Sequence, residues 1–188
     1  MENNLTQFWD KAISFDEYIN HIDETIVHPV NADYTEYYVL NARRIERLLK
    51  TYKADEAQKE QFALKNFKGR FLIITEGWCG DAAQSLPVLY KFFKEDVEMR
   101  YILRDTHPDL MDMFLTNGSK SIPIVIVMDE DNNVLNHWGP RPEFGNELLR
   151  RFKEHEDTYP KEQFMQDVQT AYNKDKGYSI IAEVLDKI

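Results

Sequence analysis

The sequence reads Gly77-Trp78-Cys79-Gly80-Asp81-Ala82 at the point where its hydrophobic pattern changes. Before this stretch, Phe71-Leu-Ile-Ile-Thr75 is a short apolar run rich in strand-forming residues, which is typical of a buried strand. After it, apolar residues recur at helical spacing over residues 80–93. The stretch is therefore predicted to end a strand and begin a helix, with Cys79 at the start of that helix.

Strand and helix patterns continue to alternate after this junction. We predict strands over residues 99–103, 122–128 and 134–138, and helices over residues 108–115 and 143–155. The fourth strand follows a short polar turn, so we expect it to pair antiparallel to the third. The predicted order is β-α-β-α-β-β-α, with parallel pairing and right-handed crossovers where a helix joins two strands.

The residues up to about 65 carry helical patterns. Ser14 with Glu17 fits a capping box at a helix start, and Asp33 with Glu36 is the predicted cap of a longer helix. A third helix is predicted over residues 56–66. This part of the chain is therefore expected to be a helical extension in front of the strands.

The length of 188 residues fits one domain. We expect a helical N-terminal extension over residues 1–65, an α/β core over residues 66–155 and C-terminal helices over residues 156–188. The two end segments are predicted to pack on the sheet rather than to form separate domains.

The chain is acidic, with a formal net charge of −10. Nucleic-acid backbones and anionic membranes repel such a chain, so neither is an expected partner. The clustered Arg43, Arg44 and Arg47 are interpreted as a solvated helix face. The sequence shows no secretory signal pattern and no apolar run long enough to cross a bilayer. Together with a single cysteine, these features favour a cytoplasmic location.

Several local motifs resemble those of thioredoxins. The junction at Cys79 resembles their Trp-Cys-Gly-x-Cys turn, and Pro87 lies where their first active-site helix carries a proline. Ser121-Ile122-Pro123 resembles their Ile–cis-Pro step, and Trp138-Gly139 resembles their glycine beside the active site. The resemblance covers about residues 66–155. It implies a thioredoxin-like fold, in which helices flank a central mixed four-stranded sheet.

The whole chain is also similar to a bacterial group of thioredoxin-like proteins that carry Trp-Cys-Gly-Asp-Ala and Gly-Pro-Arg-Pro. The resemblance to thioredoxins implies that a cis peptide bond before Pro123 faces Cys79, and that the backbone of Ile122 pairs with a bound peptide strand. Cys79 is then the candidate catalytic residue. The candidate substrate-binding residues are Trp78, Gly80, Asp81, Ile122, Pro123, Gly139 and Arg141.

Cys79 has two interpretations. At a helix N-terminus it faces unpaired amides and the positive end of the helix dipole, which favour the nucleophilic thiolate. The Asp81 carboxylate opposes this effect, because it disfavours a second negative charge nearby. The alternative is that Cys79 is a small buried apolar residue with no reactivity.

Three polar residues near the predicted sheet edge also have alternatives. Arg141 either reaches the Cys79 opening, where it can steady a thiolate or an acidic ligand, or is a surface arginine at a helix start. Asp105 either lies at the ligand-binding edge of the sheet or caps a helix, and the second interpretation is favoured. His107 is either a proton donor or a solvated loop residue, and the second interpretation is favoured.

The sequence departs from dithiol thioredoxins at two positions. Residue 82 is alanine where they have the second cysteine, which resolves the mixed disulfide. Residue 73 is isoleucine where they often bury a carboxylate, and Glu76 is expected to lie outside the strand core. Disulfide reduction by the dithiol route is therefore not expected.

Two main hypotheses follow. In the first, the protein is a monothiol thiol–disulfide oxidoreductase: Cys79 forms a mixed disulfide with a protein or a low-molecular-weight thiol, and a thiol from solution resolves it. In the second, a redox-inactive thioredoxin scaffold binds a partner in the groove beside Pro123. Ligation of a shared iron–sulfur cluster by Cys79 is a third, weaker idea. The histidines show no metal-ligand spacing, so no metal and no cofactor are expected.

Overall fold

The computed structural model describes residues 4–188. The part before the sheet is helical, as predicted. Its helices are α1 (Thr6–Trp9), α2 (Phe15–Val27), α3 (Ala32–Thr51) and α4 (Glu56–Lys65). The central part contains β1 (Arg70–Thr75), α5 (Gly80–Phe93), β2 (Glu98–Leu103), a 3₁₀ turn (Arg104–Thr106), α6 (Pro108–Met111), β3 (Ile124–Met128), β4 (Val134–Trp138) and α7 (Glu143–Glu154). Two more helices follow, α8 (Lys161–Asp175) and α9 (Tyr178–Leu185).

The four strands form one mixed sheet in the order β2-β1-β3-β4. β1 is parallel to β2 and antiparallel to β3, and β4 is antiparallel to β3. β3 and nearly all of β1 are buried, as their continuous apolar runs require, whereas the middle of the edge strand β4 is exposed. The predicted α/β thioredoxin-like architecture is confirmed.

The N-terminal extension is packed onto this sheet. Ile13 exchanges both backbone hydrogen bonds with Tyr101 of β2, at 2.8 and 2.7 Å. The Ser14 capping box forms as predicted and starts α2, whose Tyr18 ring stacks on Tyr101 with 5.4 Å between centroids. Covering the outer edge of β2 in this way removes an open strand edge from solvent.

Three predicted boundaries differ from the structure by two residues or more. The third strand begins at Ile124 rather than at residue 122, because the Ile122–Pro123 peptide bond is cis and precedes the ladder. α6 ends at Met111 rather than at residue 115, and a Thr116–Ser119 bridge follows it. The cap of α3 is Asn31, whose side chain accepts from the Asp33 amide, so Asp33 lies inside the helix.

No helix in residues 4–188 combines the length and the apolar character that a membrane span requires.

We predict that the extension contributes to global stability, and two residues of α2 test this. Ile22 is buried at 1% exposure and Val27 is 68% exposed on the same helix. Ile22→Ala should lower the free energy of unfolding by about 2–5 kcal/mol, because it leaves a cavity in the core. Val27→Ala should change it by less than about 0.5 kcal/mol. Urea denaturation measures both, and equal effects would show that α2 is only loosely attached.

Candidate functional site

Cys79 lies at the N-cap of α5, directly after the turn that leaves β1. Its amide donates to the Glu76 carbonyl at 3.1 Å, which closes the turn, and its sulfur accepts from the Ala82 amide at 3.5 Å. The turn is also held from outside the core, because the Asn41 side chain of α3 donates to the Gly77 carbonyl at 2.9 Å. The predicted position of Cys79 at a helix start is therefore what the chain adopts.

The cis-proline loop lies against this cysteine. The Cys79 thiol donates to the Ile122 carbonyl at 3.3 Å, and the Ile122–Pro123 bond is cis. Gly139 packs behind the loop at a φ of 127°, and a β-carbon there would collide with the Pro123 carbonyl. Glycine is therefore required at position 139 both by its backbone conformation and by the close approach of the two backbone segments.

The Cys79 thiol is buried, with 7% of the residue exposed. Burial raises the pKa of Cys79 to about 12, and the Asp81 carboxylate acts in the same direction. The amides at the start of α5 and the Arg141 guanidinium lower the pKa but are outweighed. Of the opposing effects that the sequence leaves open, burial and Asp81 therefore outweigh the helix N-terminus, and the thiol of the resting protein is protonated at neutral pH.

Asp81 is part of a buried polar network. The Arg141 guanidinium contacts one carboxylate oxygen at 2.7 Å, and the Tyr172 hydroxyl donates to the other at 2.8 Å. Burial raises the pKa of Asp81, while Arg141 and Tyr172 favour its charged form. Arg141 therefore reaches the Cys79 opening, as the first of its two interpretations proposed. Among residues 4–188, the buried Nε atom of Arg141 has no hydrogen-bond partner.

An open cleft of about 420 Å³ adjoins the thiol. α3 forms one wall and α8 the other, so about half of the lining residues come from segments outside the predicted core. Five of the predicted binding residues line the cleft together with Cys79. The other two, Pro123 and Gly139, are not among the residues that line it. The predicted residues in the lining are Trp78, Gly80, Asp81, Ile122 and Arg141.

Several residues of the cleft were not predicted as site residues. Arg44 was interpreted as part of a solvated face, but its side chain points to the start of α5 and lines the cleft. Tyr172 reaches Asp81 from 91 residues away in the chain. Arg104 lies over the Trp78 ring at 4.6 Å and also lines the cleft. Helical periodicity places Arg44 and Tyr172 on helices but does not show which helices meet, and Arg104 lies in the short turn after β2.

Glu76 departs most from expectation. It follows β1, as predicted, but it is buried at 4% exposure rather than outside the core. The backbone amide of Asp105 donates to its carboxylate at 2.8 Å, so Asp105 anchors the 3₁₀ turn by its backbone and does not cap a helix. Burial raises the pKa of Glu76 to about 7. Neither Asp105 nor His107 lines the cleft.

Within residues 4–188 no group of three or more His, Cys, Asp or Glu side chains is arranged to hold a metal ion.

The fold and the cysteine–cis-proline pair define a protein of the thioredoxin-like class. A family model described as Thioredoxin matches residues 28–156, and the chain belongs to that family. No curated protein matches the chain.

Two solved structures resemble the whole chain in fold. An HIV epitope scaffold is 20% identical with a TM-score of 0.65, and the match covers 97% of this chain and 96% of the scaffold. A protein of unknown function from Pseudomonas aeruginosa is 19% identical with a TM-score of 0.58, and the match covers 94% and 92%. The likeness therefore extends over the extension and the C-terminal helices as well as the core.

Glu76 should make stability depend on pH. Its pKa of about 7 in the folded protein exceeds the ordinary value of 4.5, so the folded state holds the proton more tightly. The stabilisation is complete below pH 4.5 and is lost as the pH rises through 7. Relative to Glu76→Gln, the wild type should lose at most about 3 kcal/mol of unfolding free energy across this window. Urea denaturation at several pH values measures it.

Glu60→Gln, at an exposed position in α4, is the matched control and should retain the wild-type pH dependence. Parallel profiles for the wild type and Glu76→Gln would show that Glu76 is not the responsible group.

Proposed function

We propose that this protein is a thioredoxin-fold binding protein that holds a small ligand in the cleft beside Cys79. One observation carries the proposal: helices added to the core narrow the groove next to Ile122 into a cleft of about 420 Å³. Ligand sites for small molecules typically measure about 300–1,000 Å³ and combine apolar walls with a few polar groups. The cleft fits that description.

The two walls favour a small ligand over a folded partner. α3 contributes Leu40 and Arg44 on one side, and α8 contributes Phe164 and Val168 on the other. A protein loop would have to pass between these helices to reach Cys79. A small molecule enters the cleft without moving either wall.

The state of the thiol favours binding without covalent chemistry. The Cys79 sulfur lies 3.3 Å from the Ile122 carbonyl oxygen, a contact in which a protonated thiol can donate a hydrogen bond and a thiolate cannot. Residue 82 is a fully buried alanine, so no second cysteine stands at the resolving position. In this proposal Cys79 is a weak hydrogen-bond donor in the floor of the cleft.

A second candidate is monothiol thiol–disulfide exchange, favoured by the position of the Cys79 sulfur at the helix start in the lining of the cleft. The deprotonated sulfur would attack one sulfur of a disulfide, and the leaving thiolate would take up a proton. A second thiol would then attack the mixed disulfide and release Cys79. This route requires the thiolate form of Cys79, which is a small fraction of the resting protein.

Filling the cleft should abolish ligand binding. Leu40 lines the cleft, whereas Leu64 on α4 is exposed and does not, so Leu40→Trp and Leu64→Trp form a matched pair. A compound at 100 times its dissociation constant stabilises a protein by about 2.7 kcal/mol, which raises Tm by roughly 5–10 °C at this size. Thermal-shift measurements on a panel of small molecules should show such shifts in the wild type and in Leu64→Trp only. Equal shifts in both variants would place the ligand elsewhere.

Alkylation of Cys79 separates the two candidates. Because the pKa of Cys79 is about 12 and no other cysteine is present, the rate with iodoacetamide should still be rising at pH 10. Asp81→Asn should accelerate the reaction at each pH, since it removes a charge that raises this pKa. Asp96→Asn, at an exposed position, is the control. A plateau of the wild-type rate below pH 8 would instead favour thiol–disulfide exchange.

A further inference from the structure

We infer that the cleft selects a small organic anion with an apolar body, and that Arg44 binds its charged group. This inference rests on the proposed binding function and names the class of ligand. It depends on the charges of the lining, the partners of each cation and the character of the walls.

The cleft is positive within an acidic chain. Its lining contains four cationic side chains and one carboxylate, that of Asp81, although the whole chain has a formal net charge of −10. The four cations are Arg44, Arg104, Lys120 and Arg141. A concave site of one sign concentrates ligands of the opposite sign. The acidic exterior therefore repels anions in general, whereas the cleft attracts them.

Three of the four cations already have carboxylate partners. Arg104 pairs with Asp105, Lys120 with Asp112, and Arg141 with Asp81, each at 2.7 Å. In the part of the chain that the structure describes, the only hydrogen-bond acceptor of the Arg44 side chain is the amide oxygen of Asn41, at 3.1 Å. Arg44 is thus the cation of the four without a carboxylate in contact. The Asp81 charge acts on it only through space, so an anionic ligand can bind Arg44 directly.

Arg44 is held in the site and partly removed from solvent. Its Nη1 atom lies 3.4 Å from the position that a β-carbon on Gly80 would take, so the guanidinium adjoins the first residue of α5. Burial lowers the pKa of Arg44, which reflects the loss of hydration of its charge. An anion there gains a charge-assisted, potentially bidentate contact with a group of fixed position.

The rest of the cleft suits an apolar body. Leu40, Phe164, Met165 and Val168 from the two walls and the Trp78 ring from the floor supply carbon surface. Leu40 and Met165 are 44% and 48% exposed, so part of this surface is open to water without a ligand. Covering it gives a hydrophobic contribution that inorganic anions cannot obtain.

Two fluorescent probes with nearly the same body separate charge from apolarity. 8-Anilinonaphthalene-1-sulfonate carries an anionic group, and N-phenyl-1-naphthylamine lacks it. The wild type should bind one equivalent of the anionic probe at least tenfold more tightly than the neutral one. Arg44→Gln should weaken the anionic probe about tenfold and leave the neutral probe unchanged. Arg43→Gln removes the same charge from an exposed position in α3 and should change either affinity less than twofold.

The outcomes distinguish failure of the inference about charge from failure of the proposed binding function. Equal effects of Arg44→Gln and Arg43→Gln, or equal affinities of the two probes, would overturn anion selection. If both probes then still lose binding in Leu40→Trp, the cleft remains a ligand site and only the inference about charge fails. If neither probe binds the wild type, or if Leu40→Trp binds both normally, the proposed function fails together with the inference.

Discussion

The Cys79 thiol donates to the Ile122 carbonyl across 3.3 Å, and this contact joins the start of α5 to the cis-proline loop. The protonation state of this thiol follows from a comparison of two opposing effects, the helix dipole and burial. A helix dipole contributes about 0.3–1 kcal/mol to a nearby charge, and about 2 kcal/mol in favourable buried geometries. A rise in pKa from 9.0 to about 12 corresponds to roughly 4 kcal/mol against the thiolate. Burial therefore decides the protonation state, and the helix N-terminus only reduces the effect.

The segments outside the core belong to the same structural unit as the site. A β-carbon on Gly77 would collide with the Tyr38 ring of α3 and approach Ile22 of α2, so the extension packs directly on the turn before Cys79. From the other end of the chain, Tyr172 of α8 fixes Asp81. These contacts place two walls around a groove that the core alone would leave open.

Features set by neighbouring residues could be predicted from the sequence, whereas features set by contacts between distant segments could not. Strand and helix patterns are local, so the sheet, the start of α5 and the Ser14 capping box could be predicted from the sequence. The pairing of Cys79 with the Pro123 loop could be predicted only from a resemblance to thioredoxins. Each of the two motifs is a few consecutive residues, so each could be recognised in the sequence. The cleft could not be predicted, because the contacts that place its walls join distant residues. Asn41 and Gly77 are 36 residues apart, and Tyr172 and Asp81 are 91 residues apart. The burial of Glu76 was missed for the same reason, since its amide partner belongs to a turn with no clear sequence signal.

Ala82 limits how Cys79 can react, whichever candidate function holds. Its side chain is fully buried and its amide faces the Cys79 sulfur, so no thiol can approach from that side without unfolding the first turn of α5. A resolving thiol would have to enter through the cleft, past Arg44 and the wall of α8. The features that select a bound ligand would then also select the thiol. Under either proposal, covalent and non-covalent functions of this site would depend on the same walls, and the proposed specificity would reside partly in helices added to the thioredoxin core.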